Sequence, residues 1–183
     1  MDNERHPNDN YETSSEAIDK LLSHTKLEGG AVDPGCGRGN IVLFLSAAGV
    51  DAMGIDKHHY VPVVDRIEDK LKFGRDFLET DVMFWDYKNI VMNPPFNDSD
   101  EHVRHALRLV RSDGKLCVLL RLTWIAAKKR RDLLDHLAKI IICGRLKMLP
   151  PDVDDKGHNG AVDFAWFIFE PRMVEATKIV RAA

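Results

Sequence analysis

An apolar run that ends in two consecutive prolines is the first feature of this sequence that could do chemistry. Asn93, Pro94, Pro95 and Phe96 directly follow the strand-like residues 90–92. Proline has no backbone N–H and a fixed φ, so the prolines must leave a sheet as a rigid, extended turn. This proline turn (residues 93–96) would hold an amide and an aromatic ring at a strand end, where open α/β sheets bind ligands. A turn that only buries a phenylalanine is the plainer interpretation.

A glycine-rich segment after the strand-like residues 31–33 is the second such feature. This glycine turn (residues 33–39) contains Asp33, Pro34, Gly35, Cys36, Gly37, Arg38 and Gly39. Glycine adopts positive φ and lets the backbone approach a ligand closely. Dinucleotide and methyl-donor sites share such turns. Because a carboxylate before the glycines would repel a pyrophosphate, the turn favours a ligand with a cationic end, such as an amino-acid ammonium group.

Acidic residues stand at the ends of the next two predicted strands. Asp56, followed by Lys57, ends residues 51–55 and is placed for ribose hydroxyls. Asp76 lies in a predicted third strand at 75–78, where it can accept a hydrogen bond from an adenine amino group, with Phe77 as an apolar wall. Each aspartate alone is typical of a surface residue or a helix cap. Three at successive strand ends predict a nucleotide-type site.

Alternating strands and helices must bring these residues to one edge. The pattern predicts helices near 14–22, 41–48, 61–72, 99–111 and 128–139, and strands at 31–33, 51–55, 75–78, 89–93, 115–122, from 140, and at 161–169. Such alternation implies a mostly parallel sheet covered on both faces. The last strand follows a polar loop (148–160) instead of a helix, so it is free to run antiparallel. The sequence predicts a Rossmann-like, doubly wound α/β fold with a seven-stranded sheet and an antiparallel last strand.

Size and composition restrict the function classes. The 183 residues fit one domain, expected at 11–183 behind a flexible tail at 1–10 and without a separate target-recognition domain. A net charge of −3 argues against nucleic-acid binding by electrostatics alone. Cys36, Cys117 and Cys143 lack metal-ligand spacing and fit a reducing cytoplasm, and the histidines lack a partner set, so no metal is expected. No apolar run approaches the ~20 residues that span a bilayer.

Taken in order, these motifs resemble the class I S-adenosylmethionine-dependent methyltransferases. The proline turn is similar to the Asn/Asp-Pro-Pro-Tyr/Phe signature of the amino-methylating group. Residues 119–124, 130–131 and 163–169 look like small phage-type DNA adenine methylases. The resemblance covers about residues 11 to 170.

The resemblance implies S-adenosylmethionine as cofactor and assigns roles to residues. The oxygens of the Asn93 side chain and the Pro94 carbonyl would accept hydrogen bonds from a target amine, and Phe96 would stack on its ring. Tyr11 and Thr13 would contact the methionine end of the cofactor, although the proline that usually follows the threonine is Ser14 here. The cofactor-binding set is Tyr11, Thr13, Asp33, Pro34, Gly35, Cys36, Gly37, Asp56, Lys57, Asp76, Phe77 and Asn93.

Several substrates remain open at this point. Adenine N6 in DNA is the first choice, and an RNA base (adenine N6 or guanine N2) or a protein glutamine amide is the alternative. A non-catalytic cofactor-binding subunit is the alternative from another class. Without a target-recognition domain, a partner could supply specificity. The basic residues 128–131, with Arg121 and Lys139, are predicted either to contact phosphates or to form a solvated helix face.

Overall fold

The computed structural model of the chain describes residues 11–80, 86–146 and 162–182. The predicted tail at 1–10 and the predicted loop at 148–160 lie outside these ranges. The helices are α1 (Ser15–Leu22), α2 (Asn40–Ala47), α3 (Ser99–Leu109) and α4 (Arg131–Leu134). The strands are β1 (Ala31–Asp33), β2 (Ala52–Asp56), β3 (Leu71–Phe73), β4 (Asn89–Met92), β5 (Leu116–Arg121), β6 (Leu137–Arg145), β7 (Asp163–Phe169) and β8 (Lys178–Arg181).

All described strands form one sheet in the order β3-β2-β1-β4-β5-β7-β6-β8. β7 runs antiparallel to both β5 and β6, and every other pairing in the described sheet is parallel. The predicted Rossmann-like, mostly parallel α/β fold is therefore confirmed. The sheet has eight strands instead of seven, because residues 178–181 add an exposed edge strand beside β6 that the sequence did not reveal.

Two predicted elements are wrong in place or type. The third strand is Leu71–Phe73 and not 75–78; Gly74, at φ 75°, ends it. Residues 61–72 contain a 3₁₀ helix at Asp65–Lys70 in place of the predicted α-helix. Asp76 consequently caps a 3₁₀ turn, Phe77–Glu79, by accepting a hydrogen bond from the Leu78 backbone N–H (3.0 Å).

The predicted helix at 128–139 is also wrong. It is a 3₁₀ turn (Lys128–Arg130) followed by the single helical turn of α4, and β6 already begins at Leu137. Leu137 pairs with Phe169 of β7. This pairing with a neighbouring strand outweighs the local preference for helix in the residues just before it.

The core lies on both faces of the sheet. In β5, Cys117 and Leu119 pack on the side of α1 and α2, whereas Val118 and Leu120 pack on the side of α3. This alternation is the period of two expected of a strand buried on both faces. The buried Trp166 of β7 joins the layers, because its indole N–H donates to a carbonyl of α1 (2.7 Å). Within the described residues, no helix combines the length and hydropathy needed to cross a membrane.

Candidate functional site

The carboxyl ends of β1, β2 and β4 meet at a cavity of about 290 Å³. Most of the predicted cofactor-binding residues line it: Tyr11, Pro34, Gly35, Asp56, Lys57, Asp76, Phe77 and Asn93. A narrower pocket beside it is lined by Tyr11, Thr13, Asp33, Gly35, Cys36 and Asn93, among others. Gly37 lines neither pocket and instead bonds Asp56. Parallel strands present their carboxyl ends on one edge, which brings residues far apart in the chain to one site.

The sequence reasoning missed several lining residues: His58, Tyr60, Leu78, Asn97, Asp98 and His102. Asp98 and His102 lie at the start of α3, and the His102 ring Nδ1 is 2.9 Å from the Asp98 carbonyl oxygen. A usable signal was present, because a helix that starts directly after the proline turn must begin at the same edge of the sheet.

Glycines let the glycine turn lie close against the sheet. Gly37 and Gly39 adopt φ of 51° and 91°, whereas Gly35 does not adopt a positive φ. A Cβ on Gly54 of β2 would stand 2.6 Å from the Cβ of Cys36, so glycine at position 54 is what allows the turn to approach. A Cβ on Gly35 would meet nothing within 4 Å, and Gly35 lines both pockets.

Asp56 holds the glycine turn and still has acceptor capacity. Its two carboxylate oxygens accept from the backbone N–H groups of Gly37 (2.9 Å) and His58 (2.8 Å). Because each carboxylate oxygen has two lone-pair sites, one on each remains for a ligand hydroxyl.

Asp76 and Phe77 form the far wall of the cavity. The second carboxylate oxygen of Asp76 lies 3.7 Å from the Lys57 ammonium. The Phe77 ring is buried and meets the His105 ring edge-on, with centroids 4.8 Å apart. His105 is itself fixed, since its Nε2 lies 2.8 Å from the Thr80 carbonyl oxygen.

Asp33 is a buried carboxylate that lacks a full set of partners. It is 2% exposed, and its Oδ1 has no hydrogen-bond partner in the described part of the chain. Burial raises the pKa of Asp33 well above its ordinary value, and the charge of Asp56 raises it further. An unpaired buried charge is costly, so the site is suited to a cationic group that would offset it.

Asn93 is held in one orientation by the segment before α1. Its amide nitrogen donates to the Tyr11 carbonyl oxygen (3.0 Å) and to the Thr13 hydroxyl oxygen (3.2 Å). Both N–H groups of the amide are therefore engaged. Its side-chain oxygen is buried and has no hydrogen-bond partner among the described residues. It can accept a hydrogen bond from a ligand that enters the cavity.

Phe96 lies among other π systems and a cation. Its ring centroid is 5.4 Å from that of Tyr11 and 6.1 Å from that of Phe164. The guanidinium carbon of Arg121 is 4.6 Å from the same centroid. Flat aromatic surfaces beside a hydrogen-bond acceptor favour a planar, hydrogen-bonding ligand. The described residues contain no group of three or more His, Cys, Asp and Glu side chains that could hold a metal ion.

No protein-family model and no curated protein sequence matches the chain. Solved structures nevertheless share its fold. A putative RNA methyltransferase from Pyrococcus horikoshii aligns over 94% of this chain and 93% of its own, with a TM-score of 0.59 and 16% identity. A modification subunit of a putative type I restriction enzyme from Vibrio vulnificus aligns over 94% of this chain and 47% of its own (TM-score 0.61, 12% identity).

A putative class I S-adenosylmethionine-dependent methyltransferase from Listeria monocytogenes aligns over 92% of this chain, with a TM-score of 0.57 and 15% identity. The chain spans 62% of the length of that protein. At these identities the likeness shows the fold, which is the one that these methyltransferase structures share.

Proposed function

We propose that the chain is an S-adenosylmethionine-dependent methyltransferase that methylates an exocyclic amino nitrogen of a nucleobase, with adenine N6 in DNA as the first choice. The observation that carries the proposal is the Asn93 side-chain oxygen, which is buried without a partner among the described residues. Asn93 lines the cavity together with Tyr11, and the Tyr11 ring contacts Phe96, which itself lines neither pocket. The fold and the polar groups of the cavity support binding of the cofactor, and the proline turn supports binding of the amino group that accepts the methyl.

Three features fit the cofactor. The orphaned Asp33 oxygen would accept from the ammonium of the methionine end, where Tyr11 and Thr13 also lie. Asp56 keeps acceptor sites for the ribose hydroxyls, and Asp76 with Phe77 would bind the adenine. When bound, S-adenosylmethionine supplies a methyl group on a sulfonium, which needs no further activation by the protein.

The protein's task is then to prepare the nitrogen. The lone pair of an exocyclic amine is delocalised into its ring. The Asn93 side-chain oxygen and the Pro94 carbonyl oxygen would accept from its two N–H groups and favour a pyramidal, nucleophilic nitrogen. Because proline fixes the backbone on both sides of that carbonyl, the two acceptors are preorganised, and alignment for in-line transfer supplies the remaining catalysis. The methylated nitrogen would be cationic and would release its surplus proton to solvent, so the mechanism assigns no general base.

A nucleobase suits the acceptor side better than a protein glutamine. Phe96 presents an aromatic surface within a cluster that includes Tyr11, Phe164 and the guanidinium of Arg121. Base–aromatic stacking is worth about 1–3 kcal/mol per base, and a glutamine amide offers a smaller planar surface. Glutamine stays the second candidate, since the same two acceptors fit its amide.

A binding-only regulatory subunit is less consistent with these contacts. Such a module would need the glycine turn and the aspartates, but it would not need an amide oxygen held without a partner at the end of β4. Two neighbours bear names that place them with nucleic acids, an RNA methyltransferase and a type I restriction modification subunit. The second name fits the hypothesis that a partner supplies sequence specificity.

The test is to incubate the chain with methyl-labelled S-adenosylmethionine and, separately, with adenine-containing DNA, RNA and a ribosomal protein fraction. Label that digests to N6-methyladenine from DNA supports the first choice. Label in RNA bases supports the RNA alternative, and label in protein alone would overturn a nucleobase substrate. Cofactor binding without label in any fraction would favour the regulatory subunit.

Replacing Gly35 by alanine should separate cofactor binding from stability. The new methyl group would meet nothing within 4 Å, and Gly35 lines both pockets. The melting temperature should stay at or slightly above the wild-type value, while the Kd for S-adenosylmethionine rises roughly tenfold or more because of overpacking. Thermal melting and calorimetric titration measure the two quantities.

Gly49→Ala is the matched control for this prediction. Its Cβ also meets nothing, but Gly49 has φ 81° just after α2 and lines neither pocket. It should lose about 1 kcal/mol of stability through strain and keep its cofactor Kd. Equal cofactor affinity in the wild type and Gly35→Ala would place the cofactor elsewhere.

A further inference from the structure

The basic residues that the sequence predicts to contact phosphates, 128–131 with Arg121 and Lys139, differ in how their side chains are engaged. Lys129 and Arg130 each lie 2.6 Å from a carboxylate oxygen of Asp100, in the first turn of α3. Burial alone would raise the pKa of Asp100, but hydrogen bonds from Lys129 and Arg130 outweigh it and lower this pKa. Lys139 donates to the His24 carbonyl oxygen at 2.6 Å. These three cations are already engaged, whereas Lys128 and Arg131 are exposed and form no ion pair or side-chain hydrogen bond among the described residues.

Trp124 completes the same structural network. Its indole N–H donates to Asp100 (2.9 Å), and the Arg130 guanidinium lies 4.6 Å from the centre of its ring. Arg104 of α3 pairs with Asp132 and donates to the Lys129 carbonyl oxygen (2.9 Å). Residues 122–132 are therefore anchored to the helix that starts at the proline turn.

Arg121 differs from the engaged cations, and its contact with Phe96 distinguishes it from Lys128 and Arg131. It is the last residue of β5, it is exposed, and within the described residues it forms neither an ion pair nor a hydrogen bond through its side chain. Asp163 adjoins the Phe164 that pairs with Arg121 across the sheet, yet no ion pair joins the two. The described contact of the guanidinium is the face of Phe96, 4.6 Å away.

This contact leaves the hydrogen-bonding capacity of Arg121 available. A cation–π contact uses the charge of the guanidinium but leaves its five N–H donors for other partners. Those donors lie beside the ring on which the target base would stack. In a DNA or RNA strand, phosphodiesters join the sugar of each internal nucleotide to its neighbours, so a phosphate always lies near the target base. The guanidinium fork matches two phosphate oxygens at once.

We propose that Arg121 binds a backbone phosphate next to the target base of a nucleic-acid strand. The inference rests on the proposed nucleic-acid substrate and adds a residue that binds the phosphate backbone of the strand. Phe96 would then stack on the target base. Arg121, whose guanidinium already contacts the Phe96 ring, would bind the phosphate backbone of the same strand. Base and phosphate recognition meet at the adjacent ends of β4 and β5. A net charge of −3 for the chain is compatible with this contact, because it joins one arginine to one phosphate and does not depend on the net charge.

The test measures strand binding against salt concentration. Fluorescein-labelled single-stranded DNA and RNA of one adenine-containing sequence are titrated with the full-length chain and followed by anisotropy. Each phosphate contact to a single strand contributes about −0.7 to the slope of log affinity against log salt. Arg121→Gln should make this negative slope shallower by about 0.7 and weaken binding about fivefold near physiological salt.

Two further variants separate charge from structure. Arg121→Lys keeps the positive charge and should keep most of the slope. Arg172→Gln removes an exposed arginine that pairs with Glu170 (2.8 Å), beyond the end of β7 that lies beside the start of β5, and should match the wild type. A lower affinity with an unchanged slope in Arg121→Gln would mean that Arg121 only supports Phe96, and would overturn the proposal.

The same measurements distinguish this inference from the proposed function. If the wild-type chain binds and methylates a strand while Arg121→Gln keeps the full slope, the Arg121 assignment alone fails. If the wild-type chain neither binds nor methylates DNA or RNA, the nucleic-acid substrate fails and the Arg121 assignment fails with it. A slope change on either strand supports the assignment, and methyl transfer identifies whether the strand is DNA or RNA.

Discussion

Replacing Asn93 by alanine is expected to lower kcat for methyl transfer by roughly 10²–10³-fold, the loss seen when one preorganised polar contact to a reacting group is removed. The variant lacks the buried oxygen that would accept from the target amine. Initial rates of label transfer to an adenine-containing strand measure the effect. A rate within threefold of the wild type would contradict the role of Asn93.

Because Asn93 also binds the segment before α1, the loss needs a control. Thr13→Val removes the hydroxyl that accepts from the Asn93 amide (3.2 Å) but leaves the contact to the Tyr11 carbonyl oxygen and the Asn93 side-chain oxygen in place. It should lower kcat by about tenfold or less, since a neutral hydrogen bond contributes about 1 kcal/mol. Equal losses in both variants would assign Asn93 a positioning role only.

Replacing Asp33 by asparagine should have opposite effects on binding and on stability. The cofactor Kd should rise about 10²-fold or more, because the change removes a buried charge that would pair with the ammonium group. The ligand-free protein should become more stable by at least about 1 kcal/mol at neutral pH, because it no longer buries an unpaired carboxylate. Calorimetric titration and urea unfolding without cofactor measure the two effects.

The pH dependence of this difference follows from the raised pKa of Asp33. Burial and the charge of Asp56 keep this pKa above that of the unfolded chain, about 3.9. The stabilising contribution of protonated Asp33 is therefore complete below about pH 4 and disappears as the pH rises through the folded-state pKa. The stability advantage of Asp33→Asn over the wild type should grow across that window.

Cofactor affinity should show the complementary trend. Pairing with an ammonium group requires ionised Asp33, so wild-type affinity should weaken as the pH falls below the raised pKa, whereas Asp33→Asn should lack this dependence. Binding titrations of both proteins across the same pH range provide the measurement. Parallel pH profiles would show that Asp33 does not face the cofactor's cation.

Local rules predicted the elements whose signals lie within a few residues. These are the helix near 14–22, the strand before the glycine turn and the rigid exit at the prolines, which all follow from residue type and spacing. The predictions at 75–78 and 128–139 were wrong because a glycine at positive φ and a strand partner outweighed local spacing. β8 was missed because a four-residue edge strand carries little pattern.

By itself, the sequence determined the fold class and placed Asp33, Asp56 and Asn93 at strand ends, since both depend on short-range patterns, whereas it placed Asp76 in a strand that lies elsewhere. Only the tertiary structure decided how those side chains are engaged. The Asn93 amide is oriented by partners about 80 positions earlier in the chain, at Tyr11 and Thr13. Among the described residues, one buried oxygen of Asp33 has no partner. Asp100 engages Lys129 and Arg130, whereas the described contact of the Arg121 guanidinium is the face of Phe96. Hydrogen-bond satisfaction and burial are properties of the packed chain, and no local pattern encodes them.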